Sequence, residues 1–330
     1  MTTRKTAFGR RSFGKAQPLL GLGFALFLSA CAGTGDPEPS VSDAGSTEPD
    51  VADVDAGIDA EPEVVFAECN DVSALANIQG VVLDEFGSPL PGAVAQMCIR
   101  NESGRLLCLA PEGAGDDGSF EQRVPLQAQC AVQLTVRSLL PTAQRASIYC
   151  RMPLDSVAEN ALILEQLFLP TTNAATSLPD AAEDEAAAQE VHFGDDVILQ
   201  IAPADLFVGD YLKLAARTLL ATEFPACMQA TLPSDATGGV FFGPEGNLAE
   251  GAILNVSASA MGLSSVEGDS VEVFALGVLG CYMGPQDSQE VIEEGTWATL
   301  GTYVVDADGR IQLGADNPLP CLGTVVFAPR

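Results

Sequence analysis

The side chains able to do covalent or acid–base chemistry are few and widely spaced in this sequence. Nine cysteines stand at Cys31, Cys69, Cys98, Cys108, Cys130, Cys150, Cys227, Cys281 and Cys321. None are in C-x-x-C spacing, the usual sign of a zinc site or a dithiol oxidoreductase. Setting Cys31 aside leaves eight, an even number that fits up to four disulfides in an oxidising compartment. Five lie in the first half and three in the second, so full pairing requires at least one bridge between halves. Cys98 and Cys108 flank Asn101-Glu102-Ser103-Gly104, which reads as a hairpin loop. They are the expected disulfide, provided their Cα atoms come within about 7 Å. Partners among the other six are left open.

The lone histidine, His192, sits beside Asp195 and Asp196. It offers a general base or a ligand, and it equally suits an exposed position where a strand begins. One histidine cannot build a His-based metal site, and no G-x-S-x-G elbow accompanies it. Asp116 with Asp117, and Asp306 with Asp308, are the carboxylate pairs that glycoside hydrolysis would use. Each pair precedes a glycine, Gly118 or Gly309, and an Asp-Gly hairpin turn already accounts for it. Asp306 and Asp308 are also the one calcium candidate, without the ligand series of an EF-hand. With one Trp and four Tyr, a sugar-stacking platform is poorly supplied; Trp297, Tyr282 and Tyr303 are the aromatic candidates for a glycan or peptide pocket. The chemistry therefore points away from an enzyme and away from a bound cofactor.

The N-terminus carries a different signal. Arg4, Lys5, Arg10, Arg11 and Lys15 precede any acid, and Leu19 to Leu28 is apolar. This is a basic region followed by the hydrophobic core of a secretory signal. As a helix, ten residues would span only ~15 Å, half of a bilayer core of roughly 30 Å. The run closes on Leu28-Ser29-Ala30-Cys31, which resembles the lipobox of bacterial lipoproteins. The resemblance implies cleavage before Cys31, a diacylglycerol on its thiol and acylation of its new amine. At ~0.8 kcal/mol per buried CH₂, two or three chains make a stable anchor where one is marginal. Arg10-Arg11-Ser12-Phe13-Gly14-Lys15 also resembles the twin-arginine export signal, with Gly14 in place of the usual Leu; the general export route stands beside it. In the lipoproteins this resembles, Asp after the cysteine can hold the protein in the inner membrane; Ala32 stands there instead, which implies the outer membrane over the inner one.

Charge narrows the partners. The net charge is −30, and loss of the five signal cations takes it to about −35. Such a chain repels phosphate backbones, so no nucleic-acid partner is expected, and it does not lie flat on anionic lipid. The expected partners are the membrane, through the lipid, and an unidentified protein or glycan.

These residues imply an organisation. Residues 1–30 are read as the signal peptide. Residues 31–65 are read as the lipidated cysteine and a disordered tether, because Ala32 to Val65 holds ten acids and no base and cannot offset its ordering entropy. From 66 to 170 the chain shows Gly80-x-Val82-x-Asp84-x-x-Gly87-x-Pro89-Leu90-x-Gly92-Ala93, then Asp117-Gly118-x-Phe120, then the alternating Val132-Gln133-Leu134-Thr135-Val136. Over about 60 residues this resembles the carboxypeptidase regulatory-like (prealbumin-like) β-sandwich, which implies a small Greek-key module without catalytic residues. Residues 171–190, rich in Ala and acids, are read as a connector, with a short exposed helix as the alternative. From 191 to 330 strands are expected at Val197 to Ile201, Tyr211 to Ala215, Gly239 to Phe242, Ile253 to Ser257, Val271 to Leu276, Thr302 to Val305 and Gly323 to Phe327. Phe241-Phe242-Gly243-Pro244-Glu245-Gly246, Trp297 and Asp308-Gly309 resemble Ig-like sandwich modules of bacterial surface lipoproteins. The fold class expected is all-β: two sandwiches after a cleaved signal and an acidic tether. The expected role is that of a lipid-anchored cell-envelope protein, facing the periplasm or the exterior, with binding or structural work. A carbohydrate- or peptide-binding lipoprotein of an uptake system is the alternative, and a hydrolase the third reading.

Overall fold

In a computed structural model, residues 66–140, 145–164, 166–177, 188–202, 213–283, 290–314 and 316–330 are described. Arg10, Arg11, Leu28, Ser29, Ala30, Cys31 and the acidic segment lie outside them. The first sandwich is built from β1 (Asn77–Asp84), β2 (Val94–Asn101), β3 (Leu106–Cys108), β4 (Glu112–Gly113), β5 (Ser119–Arg123), β6 (Ala131–Leu139), β7 (Ile148–Met152), β8 (Ala161–Ile163) and β9 (Leu167–Leu169). One sheet has β1 between β5 and β8/β9; the other runs β3-β2-β6-β7 with β4 on β2.

Local sequence explains these ladders. In β1 the side chains of Ile78 and Val82 point inward, with Gly80 between them. A Cβ on Gly80 would lie 2.6 Å from the Phe120 ring across the pair, so the glycine leaves room for the aromatic. Asp84 ends the strand because its Oδ1 accepts the backbone N–H groups of Phe86 and Ser88, each at 2.8 Å. That closes an Asx-type turn with Gly87 at φ 82°. The Asp84-x-x-Gly87 spacing is thus a turn device. Phe120 closes the other side of the same core.

The second half contributes β10 (Thr176–Ser177), β11 (Gln189–Phe193), β12 (Val197–Ile201), β13 (Lys213–Leu220), β14 (Gly238–Ser257), β15 (Ser270–Leu276), β16 (Tyr282–Met283), β17 (Glu290–Val291), β18 (Trp297–Val304), β19 (Arg310–Gln312) and β20 (Leu319–Pro329), with one helical turn, α1 (Ala226–Gln229). Where two strands were expected around Gly243-Pro244, the chain makes one, β14. Its start lies between β13 and β20, and its end between β12 and β19. The Gly-Pro pair does not turn the chain back. Register shifts against β20 between Phe241 and Gly246, and between Asn247 and Ala252, absorb the extra residues as bulges. β18 likewise begins at Trp297, earlier than the expected Thr302. β11 reaches back to Gln189 because Val191 and Phe193 alternate inward opposite β12.

In the sheet β13-β14-β20-β15-β18 the central strands β14 and β20 are buried on both faces. Val240 and Phe242 of β14, and Val325 and Phe327 of β20, belong to the core of the second half. Their neighbours Phe241 and Val326 point the other way, into one continuous core with Ile78, Met97, Leu134 and Leu167 of the first half. Period-2 alternation therefore delivers apolar residues to both sides, and β20 is buried from Leu319 to Ala328. A strand covered twice reads as an unbroken apolar run, as Thr324-Val325-Val326-Phe327-Ala328 nearly does.

Candidate functional site

The residues with chemistry converge where the two halves meet. The bridges come first. Cys98 and Cys108 are directly opposed on β2 and β3 and are bonded. Cys69 pairs with Cys130, Cys281 with Cys321, and Cys150 of β7 with Cys227 of α1. The last pair is the one that crosses between halves.

Two charge clusters flank this crossing. In the first, Glu85 accepts hydrogen bonds from the Thr171 hydroxyl, from Arg145 Nη1 and from Arg217 Nη1, the last at 3.1 Å. Arg145 comes from the first half and Arg217 from β13. Arg145 also donates to Leu169 O at 3.1 Å and Thr171 Oγ1 at 2.7 Å, and its Nη2 is 3.8 Å from Asp84. Burial opposes the Glu85 charge, but the hydrogen bonds of Thr171 and of its own backbone, together with Arg145, overcome it and hold the carboxyl at about 2.

In the second cluster Arg137 of β6 pairs with Glu245 of β14, their side chains 15% and 8% exposed. Tyr149 OH donates to Glu245 Oε1 at 2.9 Å and accepts the Leu279 N–H at 3.1 Å. Arg137 donates to Gln96 at 2.9 Å and lies 6.0 Å from the Tyr149 ring centre, within cation–π range. Burial works against the Arg137 charge, yet Glu245 and Tyr149 push its pKa up. Burial, then Glu245, pushes the Tyr149 phenol well up. Nearby, Arg100 donates to Glu293 at 2.5 Å and Gln133 to the same carboxylate at 3.1 Å. Gly295, at φ 71°, closes the seam so tightly that a Cβ there would lie 2.6 Å from Thr135 Cγ2.

Beside Glu85 and Arg217 the halves leave a cleft of about 380 Å³, floored by Phe168, Leu219 and Phe224 and rimmed by Glu223 and Gln229. That volume falls in the range of small-ligand pockets.

The residues singled out from sequence are placed otherwise. His192 is exposed on β11, with Glu190 at 3.6 Å, while the backbone carbonyls of Asp195 and Asp196 accept from Arg310 at 2.9 and 3.3 Å. Asp306 Oδ1 accepts the N–H groups of Asp308 and Arg310 at 3.0 and 2.8 Å. Asp117 Oδ1 likewise takes Ser119 N–H at 3.0 Å and its hydroxyl at 2.6 Å; these are turn contacts. Asp116 is exposed at the same turn. The aromatic candidates are not brought together. A bulge between Val273 and Phe274 in the β15–β18 register turns the side chains, so Trp297 packs on the shared core and Tyr303 on the other; Tyr282 is exposed on β16. Sequence reasoning missed Glu85, Arg145, Arg217, Arg137, Tyr149 and Glu245. One faint signal exists: after Lys15 the chain has only ten cations, so an arginine on or beside an apolar strand is a candidate partner for a buried acid.

An all-β body with four disulfides belongs to an oxidising, extracytoplasmic compartment. Among the described residues no helix is long and apolar enough to cross a membrane. No family model and no curated protein matches the chain. Among solved structures it is similar to a shaft pilin, SpaA, from Lactobacillus rhamnosus GG, at 10% identity over 77% of this chain and 86% of that one, TM-score 0.22. It is similar to a DUF3823 family protein from Bacteroides uniformis at 10% identity, over 74% and 99%, TM-score 0.22. It is also similar to a 3-chlorocatechol 1,2-dioxygenase from Rhodococcus opacus at 14% identity, TM-score 0.21, over 32% of this chain and 63% of that one, under two thirds of its length. The fold therefore rests on the ladders of the chain itself.

Proposed function

We propose that this is a lipid-anchored protein of the bacterial cell envelope, held through Cys31, whose β body does non-catalytic structural or binding work. The anchor rests on the basic stretch, the short apolar run and Leu28-Ser29-Ala30-Cys31. One observation carries the non-catalytic role: the converging charged groups are engaged with one another. Glu85 is engaged by Thr171, Arg145 and Arg217, and Glu245 by Arg137 and Tyr149. Groups so engaged fasten two halves together, and among the described residues neither Glu85 nor Glu245 stands without a charged partner. The outer membrane is the favoured address, given Ala32. Replacing Cys31 by Ser and following fractionation and fatty-acid labelling tests the anchor. The variant is expected to lose label and appear in the soluble fraction; unchanged membrane association would overturn it.

The cleft beside Arg217 favours a second reading, a peptide- or carbohydrate-binding lipoprotein of an uptake system. Its apolar floor and mixed-charge rim suit a small amphipathic ligand. Screening the protein against peptide and glycan arrays tests this; binding abolished by Leu219→Glu would support it, and no retained ligand would remove it.

A further inference from the structure

We propose that Cys98, Cys108 and Glu294 form a site for a thiophilic divalent cation of the zinc class, closed while the cysteines are bonded and opened by a dithiol reductant. No spacing motif announces it; three independent features of the fold do.

The first is register. Leu109 N–H donates to Met97 O and Asn101 N–H to Arg105 O. Hydrogen-bonded pairs therefore alternate around Cys98–Cys108, which is a non-hydrogen-bonded pair. Such pairs hold their Cα atoms about 4.5 Å apart, at the lower limit for a disulfide, and here the separation is 3.9 Å. The bridge also spans 10 residues, against 40, 61 and 77 for the other three, so its loop-closure entropy contributes least to stability.

The second feature is access. Cys108 is exposed on β3, an edge strand of three residues, while Cys98 is buried. A reagent thiolate can reach Cys108 Sγ, and β3 can yield without disturbing the central strands.

The third is the neighbouring acid. Glu294 Oε2 lies 3.1 Å from Cys98 Sγ. A bonded sulfur has no proton to offer this carboxylate, whereas a free thiol donates to it, so the opened state gains a contact that the closed one lacks. The sulfur and oxygen atoms of all three residues lie within 4.8 Å of one another. Two thiolates and a carboxylate are three zinc ligands, with a fourth position left for water.

The exchange balances. One thiolate of the dithiol attacks Cys108 Sγ, and the protein S–S bond breaks, releasing the Cys98 thiolate, which takes up a proton. The second thiol of the reagent then loses its proton, attacks the mixed disulfide, forms the reagent's own S–S bond and releases the Cys108 thiolate, which takes up the proton that thiol gave up. The protein gains two electrons and two protons, the dithiol loses them, and a divalent cation entering the site displaces both protons.

The test uses the full oxidised chain, titrated with dithiothreitol, with free thiols trapped by alkylation and mapped by mass spectrometry. Zinc bound per chain is measured by chelator competition in 0.15 M salt before and after opening. Cys98 and Cys108 are expected to be alkylated first, with the other three bridges intact, and about one zinc gained per chain relative to the oxidised protein. Glu294→Gln is expected to weaken zinc by about 10-fold or more, the scale on which ligand-shell changes act. The double change Cys98→Ala with Cys108→Ala is expected to abolish the gain. Three retained bridges in each variant show that the fold persists. Earlier opening of another bridge, no zinc gain on opening, or unchanged zinc affinity in Glu294→Gln would each overturn the site.

Discussion

The two charge clusters that fasten the halves use the same Arg–carboxylate chemistry under different exposure. At Glu85, two arginines and a threonine share one carboxylate whose side chain is still 25% exposed. At Glu245, one arginine and one tyrosine meet a carboxylate only 8% exposed, and Glu245 Oε2 and Arg137 Nε have no hydrogen-bond partner among the described residues. The difference teaches what water does to an ion pair. The Glu85 group is rich in partners and cheap to perturb, since solvent can replace what is lost. The Glu245 group is poor in partners, and removing either member strands the other in a low-dielectric seam.

The sharpest way to break this contrast is Glu245→Ala. It leaves Arg137 buried and unpaired and is expected to cost about 3–5 kcal/mol, read as a fall in the denaturant midpoint. A cost like that at Glu85 would erase the distinction. Next comes the covalent fastening: replacing Cys150 and Cys227 together by Ser reopens a 77-residue separation and is expected to cost about 2–5 kcal/mol, with two thermal transitions replacing one if the shared core alone cannot hold the halves. Gly295→Ala follows, at about 1–3 kcal/mol, because alanine is disfavoured at φ 71° and its methyl meets Thr135.

Glu85→Gln is expected to cost less, about 1–2 kcal/mol after allowance for its exposure, and its pH signature is specific. A carboxyl lowered from 4.5 to about 2 stabilises the fold fully above pH 4.5 and progressively less as pH falls toward 2. The variant should therefore lose that part of the acid-limb slope in stability measured from pH 5 to 2. Glu294→Gln should give the smallest change, of opposite sign. Burial first, with repulsion from Glu245, raises this carboxyl against the pull of Arg137. Its ionised form is therefore penalised in the fold at neutral pH, and the amide should raise the melting midpoint at pH 7 and lose that advantage as pH falls.

The contrast also shows what a linear sequence carries. Asp84-x-x-Gly87 and Asp306-x-x-Gly309 are legible because the acid caps N–H groups two and four residues on. Alternation in β12 and β15 is legible for the same local reason, and an all-β fold follows from many such segments. The clusters are not local. Arg145 and Glu85 are 60 residues apart, Arg137 and Glu245 are 108 apart, and Arg217 and Glu85 are 132 apart, with no periodicity to link them. β14 was misread for a related reason. Gly243-Pro244 has the chemistry of a turn, and only pairing with distant strands, β13 at Ala215 and β20 on either side of the bulge, keeps the chain running through it. Gly243 is itself needed there, because a Cβ would come within 2.7 Å of Arg145 O.

The Cys69–Cys130 bridge has a mechanical consequence. A pull on the chain ahead of Cys69 does not peel β1 from its sheet. Tension passes through the sulfurs directly to Cys130 and thence to the head of β6, which hydrogen-bonds to strands on both sides. The 61-residue separation spanned by this bridge, less the 10 held by Cys98–Cys108, would otherwise pay out roughly 170 Å of slack at full extension. With the bond intact that length is withheld, and the body transmits load as a short, stiff link.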